Sequence, residues 1–180
     1  TKLDAWIDGS AQGFRSWRAW ANFERGRLDV ARHILSADFK SPGFAVLALR
    51  LSARAAVAAS DRAAAMSLFA KASSALSADA DAHTENAVEW ARALEHFNDR
   101  GGALAVLERE RATVAKGPAG DAARLLAAEL SAEAGDAATS RRLFEMLVAG
   151  GTNTEERAYV LASCGLVDVY LAAGATNNAL

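Results

Sequence analysis

Proline occurs twice in the 180 residues, at Pro42 and Pro118, and isoleucine twice, at Ile7 and Ile34. A chain this short of helix breakers and β-branched residues has little from which to build a sheet. Cysteine occurs once, at Cys164, which excludes an intramolecular disulfide and a thiolate metal cluster. The lone thiol leaves the compartment open between cytoplasm and periplasm. Charge of one sign is also lacking: 20 Lys and Arg face 22 Asp and Glu, for a net charge of −2. Both signs are spread along the chain, so no basic block is available to hold a phosphate backbone, and nucleic acid is not an expected partner. No apolar run reaches the roughly 20 residues needed to cross a bilayer, so membrane insertion is not expected either.

Alanine and leucine are abundant, and alanine supplies much of the 52% hydrophobic content. Together they predict an all-α chain, long enough to bury a sizeable core. One stretch recurs. Asp61-Arg62-Ala63-Ala64-Ala65-Met66-Ser67-Leu68-Phe69 returns as Asp99 to Leu107 and, more loosely, as Asp136 to Phe144. Each copy opens on an acidic cap. Each carries a small residue four places on (Ala65, Ala103, Ser140) and a large apolar residue eight places on (Phe69, Leu107, Phe144).

Taken in order, Lys2 to Asp8 reads as a short amphipathic piece closed by Gly9-Ser10. A helix follows over 11–25, with Trp17, Trp20 and Phe23 at three-residue steps and Gly26 as its stop. The next helix runs over 28–37. Ser41-Pro42 starts a helix to Ala59, with Ser41 as cap. Asp61 caps a helix to Leu76, and Asp79 or Asp81 caps one through Phe97. Asp99 caps a helix to Ala115, and 116–120 is a break. Asp121 caps a helix to Ala134, and Asp136 one to Val148. Thr152 with Glu155 reads as a capping box before a last helix over 154–173, bent or loosened near Gly165. The chain opens at Thr1 without methionine and closes at Asn177-Asn178-Ala179-Leu180 within a helical pattern, so it is expected to be an excised piece.

The turn positions Arg27, Asp61, Asp99, Asp136 and Ala175 stand 34, 38, 37 and 39 residues apart. Two helices per unit at this period mark a helical solenoid. The sequence resembles the tetratricopeptide repeat (TPR) family, whose unit is a pair of antiparallel helices with small and aromatic residues at set places. The fit rests on Ala53, Ser60-Asp61, Ala65, Phe69 and Ala72 in the second unit. In the third it rests on Ala91, Asn98-Asp99, Ala103 and Leu107, and in the fourth on Ala128, Gly135-Asp136, Ser140 and Phe144. Ala19, Gly26 and Ala31 match in the first unit, and Tyr170, Gly174 and Ala179 in the last. Departures are Asp38, Glu110 and Leu147, where small residues belong, and the longer period. The resemblance implies one right-handed superhelical array over 1–180, an α-solenoid of antiparallel hairpins with units 11–40, 41–78, 79–117, 118–151 and a partial 152–180.

It also implies that the first helix of each pair lines the concave face. That gives a candidate partner-binding groove of Trp17, Trp20, Phe23 and Glu24, then Arg50 and Arg54, then Glu89, Arg92 and His96, then Glu129 and Glu133, then Asp168. Such a groove is aromatic and basic at its N-terminal end and acidic at its C-terminal end, suited to an extended peptide. The tryptophans could instead seal the core, and the two arginines could be a solvated face.

His33, His83 and His96 lack metal-ligand spacing. Cys164 is expected to be a buried, inert thiol. The glycine pairs 101–102 and 150–151 lack the lysine of a phosphate loop, and Glu108, Glu110, Glu155 and Glu156 read as exposed helix faces. No nucleophile–base pair, metal set or cofactor motif is present, so no enzyme is expected. The favoured reading is a module that binds a protein or peptide partner; the alternative is a structural spacer or assembly arm of a larger protein.

Overall fold

The computed structural model describes residues 2–36 and 42–174, and among these every regular element is helical. Contacts divide the chain into two compact units, Thr1–Ala78 and Asp79–Leu180. The first holds α1 (Lys2–Glu24), α2 (Leu28–Leu35), α3 (Pro42–Ala58) and α4 (Arg62–Ala75). The second holds α5 (Ala80–His96), α6 (Arg100–Arg109), α7 (Gly117–Glu133), α8 (Ala137–Gly150) and α9 (Glu156–Ala172), with single 3-10 turns at Ala112–Val114 and Gly151–Asn153.

Both units are solenoid-type stacks of antiparallel helical hairpins, and one turn geometry makes all of the hairpins. In α3/α4, Ser60 takes a left-handed conformation, its N–H donates to the Val57 carbonyl, and the Asp61 N–H donates to the Ala56 carbonyl. This pair of bonds is a Schellman closure, which satisfies carbonyls that the helix end would leave unpaired. Asn98-Asp99 and Gly135-Asp136 repeat it bond for bond, as does Gly26-Arg27. The aspartate then opens the next helix. Asp61, Asp99 and Asp136 accept the backbone N–H three residues on, at 3.0, 2.9 and 3.0 Å. Asp79 caps α5 in the same way, at 3.1 Å from the Ala82 nitrogen.

With the turns in register, the small and large positions fall into the core. Ala19, Ala53, Ala91 and Ala128, each eight residues before a turn, have no exposed surface. Ala31, Ala65, Ala103 and Ser140, each four after, have none either, and Phe69, Leu107 and Phe144 are buried beneath them. Small residues let helix axes approach, and the large residue fills the groove beside the contact. In the first unit α1 packs on α2 and α3, and α3 on α4. In the second α5 packs on α6 and α7, α7 on α8, and α9 on α7 and α8.

Several sequence expectations are corrected. Helix α1 runs through Gly9-Ser10 without a break, because neither residue removes a backbone donor and one glycine costs only about 1 kcal/mol. Helix α6 stops at Arg109 instead of Ala115. Beyond it Arg111 is left-handed, and the carbonyls of Thr113 and Ala115 turn to the Arg124 guanidinium at 3.0 and 2.8 Å. Helix α7 begins at Gly117, so Asp121 is no cap but a buried residue in the second turn. Helix α9 is capped by Glu155, whose carboxylate accepts the Ala158 N–H at 2.8 Å. That helix passes through Gly165 unbroken. The cap at Ser41, the mismatch at Asp38, the turn at Ala175, the match at Ala179 and the side chain of Thr152 lie outside the described residues.

Candidate functional site

Helix α1 buries Gln12, Ser16 and Ala19 at helical spacing, and the Ser16 hydroxyl is satisfied within the helix by the Gln12 carbonyl at 3.1 Å. The flank beyond this face carries aromatics. Trp17 is 63% exposed and Trp20 43%, so neither is sealed in the core. Phe23 is half-buried. Phe14, which sequence reasoning passed over, extends the ridge by one turn and lies under the Arg18 guanidinium at 5.9 Å. The three-residue step that singled out Trp17 and Trp20 also reaches Phe14 and could have found it. On α3 of the same unit, Arg50 and Arg54 are half-buried.

In the second unit the first helices of successive hairpins, α5, α7 and α9, are neighbours in that order. Glu89 is half-buried on α5, while Arg92 and His96 are exposed, with the His96 ring edge-on to Phe97 at 5.4 Å. Glu129 on α7 is surrounded by charge from three helices: Arg92, Glu95, Glu133 and Arg157. Partial burial is the largest influence on its carboxyl and pushes the pKa above the ordinary carboxylate value. Arg92 opposes this, while Glu95 and Glu133 add to it. Glu133 pairs with Arg100 at 2.5 Å.

Three of the acidic residues expected at the C-terminal end meet in one cavity of 610 Å³ between α7, α8 and α9. Glu129, Glu133 and Asp168 stand on its wall with Phe144, Leu161 and Val169. Cys164 also lines it and is exposed, which corrects the expectation of a buried thiol: its helix is apolar on more than one face, and the exposed face carries Cys164. The expectation of exposed glutamates fails at Glu110, which is largely buried and bonded to His83 at 3.0 Å and to Arg109 at 2.7 Å. The same Arg109 guanidinium lies 4.6 Å from the buried Trp90 ring.

Among the described residues, no group of three His, Cys, Asp or Glu side chains could hold a metal ion, and no helix is long and apolar enough to cross a membrane.

No family model matches the chain, and no curated protein does. A solved structure does match: a protein described as a kinesin light chain of Podosopora anserina with nearly identical TPR-like repeats. The match covers 94% of this chain and 90% of that one, with a TM-score of 0.68 and 17% identity. The fold is a TPR-like helical repeat. At this identity the likeness is one of fold. The TPR-like fold places the expected groove residues of each unit on the first helices of its hairpins. It leaves Trp17, Trp20, Arg92, His96, Glu129, Glu133 and Asp168 at the surface.

Proposed function

We propose that the chain is a non-catalytic interaction module that holds a peptide or protein partner on the concave face, lined by the first helices of its hairpins. The observation that carries this reading is the exposed aromatic ridge of α1. A folded chain that leaves Trp17 and Phe14 largely open to water, and Trp20 partly so, forgoes up to about 1.5–3 kcal/mol of burial for a large apolar side chain. Such ridges, flanked by arginines, are what binding hot spots are made of. The charged side chains on α5, α7 and α9 supply orientation more than affinity. The fold supports the general role, since stacked hairpins present a rigid surface that costs little entropy to occupy.

The test is affinity capture with the wild type beside a Trp17→Ala/Trp20→Ala variant, followed by titration of each captured protein in purified form. Trp17 is mostly exposed and Trp20 partly so, so the variant is used only after circular dichroism shows that it keeps its helicity and a cooperative melt. A purified partner bound at least tenfold more weakly by the variant supports the module. If the purified proteins bind both forms equally, or none is captured, the α1 ridge is not the binding surface and the reading falls.

A further inference from the structure

The cavity at the end of the second unit exists because one hairpin departs from the pattern of its neighbour. Counting back from each turn, Gly165 and Val169 of α9 occupy the register of Leu126 and Leu130 of α7, both of which are buried. On the second helices, Phe144 of α8 stands in the register of Leu107 of α6. Gly165 has no side chain because the Phe144 ring fills the place a Cβ would take. Two buried leucines are thus replaced by a glycine and a valine, and the larger Phe144 restores only part of the lost volume. The space that remains is lined by the buried Phe144, the half-buried Val169 and the exposed Leu161, and by the exposed carboxylates Glu129, Glu133 and Asp168.

Among the described residues no basic side chain lines this cavity, while Arg92 and Arg157 act on Glu129 from outside it. Glu133 is engaged with Arg100 outside it. Glu129 is partly desolvated, and among the described residues no hydrogen bond or ion pair holds Asp168. An apolar recess with carboxylates at its mouth discriminates by charge. It attracts a cation whose stem is apolar and repels an acidic one. Arginine meets this description best, because its planar fork carries five donors and can serve more than one carboxylate, while its three methylenes lie along the apolar side chains.

We propose that this cavity is a specificity pocket for an arginine side chain of a peptide. The proposal rests on the reading of the chain as a peptide-binding module. Glu129 and Asp168 receive the guanidinium. Phe144, Leu161 and Val169 cover its stem.

The probe is a blocked pentapeptide, Ac-Ala-Leu-Arg-Leu-Ala-NH2, beside the same peptide with citrulline at the centre. Citrulline keeps the shape and removes the charge. Binding is followed by amide chemical shifts of the whole chain. The expected result is a saturable shift confined to α7, α8 and α9, at least tenfold weaker for the citrulline peptide and for Glu129→Gln/Asp168→Asn. Both substitutions are at exposed positions and leave the core intact. Alkylating Cys164 with N-ethylmaleimide should fill the mouth and abolish the shift, while the binding of Cys164→Ser, whatever its strength, should be the same before and after the reagent.

The proposal is overturned if no saturable shift occurs, if citrulline binds as well as arginine, or if the alkylated protein still binds. The Trp17→Ala/Trp20→Ala variant should bind the pentapeptide unchanged. If the alkylated protein still captures a partner that this tryptophan variant has lost, the module stands and the pocket does not.

Discussion

Asp121 on α7 accepts the backbone N–H of Glu155 at 2.9 Å, across 34 residues of sequence. Its other carboxylate oxygen holds Arg124, which in turn takes the carbonyls of Thr113 and Ala115. One buried ion pair thereby fixes the chain before α7 and the start of α9. Removing one partner of such a pair strands the other in a dry site, at a cost of about 3 kcal/mol or more. Asp121→Ala should show this loss in urea unfolding. Asp121→Leu/Arg124→Met, which removes both charges, should lose markedly less. Equal losses would mean that the pair is not the element that holds the hairpins.

Ser60 and Asn98 occupy left-handed positions that Gly26 and Gly135 fill in the sister turns. Glycine is free of the Cβ strain there, and asparagine tolerates it better than serine does. Ser60→Gly should therefore raise the urea midpoint, by about 1 kcal/mol at most. Asn98→Gly should gain less. A loss at either site would show that the side chain contributes to the turn.

The Ser140 hydroxyl is fully buried and finds no hydrogen-bond partner among the described residues, in a register where Ala31, Ala65 and Ala103 stand. An unpaired buried hydroxyl costs about 1–3 kcal/mol. Ser140→Ala should stabilise the second unit and raise its melting temperature by a few degrees. Ser140→Val, which adds volume at a close helix contact, should lower it.

Two carboxyls titrate in opposite senses. Glu129 holds its proton more tightly in the folded chain than in the unfolded one. Between its ordinary and its raised pKa, stability therefore falls as pH rises, and acidification through that window returns it. Asp136 is the reverse case. The backbone N–H of Thr139 and the other donors at its cap hold its pKa below the ordinary value. The stability it contributes is present above that value and is lost as pH falls through the lowered one. Melting temperatures from pH 3 to 7 should show Glu129→Gln flattening the first slope and Asp136→Asn the second. If neither slope changes, these groups do not govern the acid response.

What was legible in the sequence was local. An aspartate at the start of a helix, a small residue four places on and an aromatic eight on are all set by one turn of backbone and its register. Asp61, Asp99, Ala65 and Phe69 therefore took their expected places. The boundaries that went astray depend on distant partners. Helix α6 ends early because its following carbonyls are taken by Arg124, and Asp121 is buried because Glu155 arrives from the next hairpin. The cavity was illegible for the same reason. Glycine at 165 reads as a weak spot in a helix until Phe144, 21 residues away, is seen to fill its space.

The double use of Asp61, Asp99 and Asp136 fixes where this chain can change length. Each residue closes one helix by its backbone and opens the next by its side chain, with no residue to spare. An added residue in such a turn breaks both duties at once. The stretch 110–116 between hairpins carries no such double duty, but Arg124 holds its Thr113 and Ala115 carbonyls. The unequal spacing of the turns is taken up in the helices and the links between hairpins, while every turn keeps the same two-residue length and bonding. An engineer adding a tag, a loop or a further domain has no room in the turns, and in the link 110–116 must leave the carbonyls of Thr113 and Ala115 to Arg124.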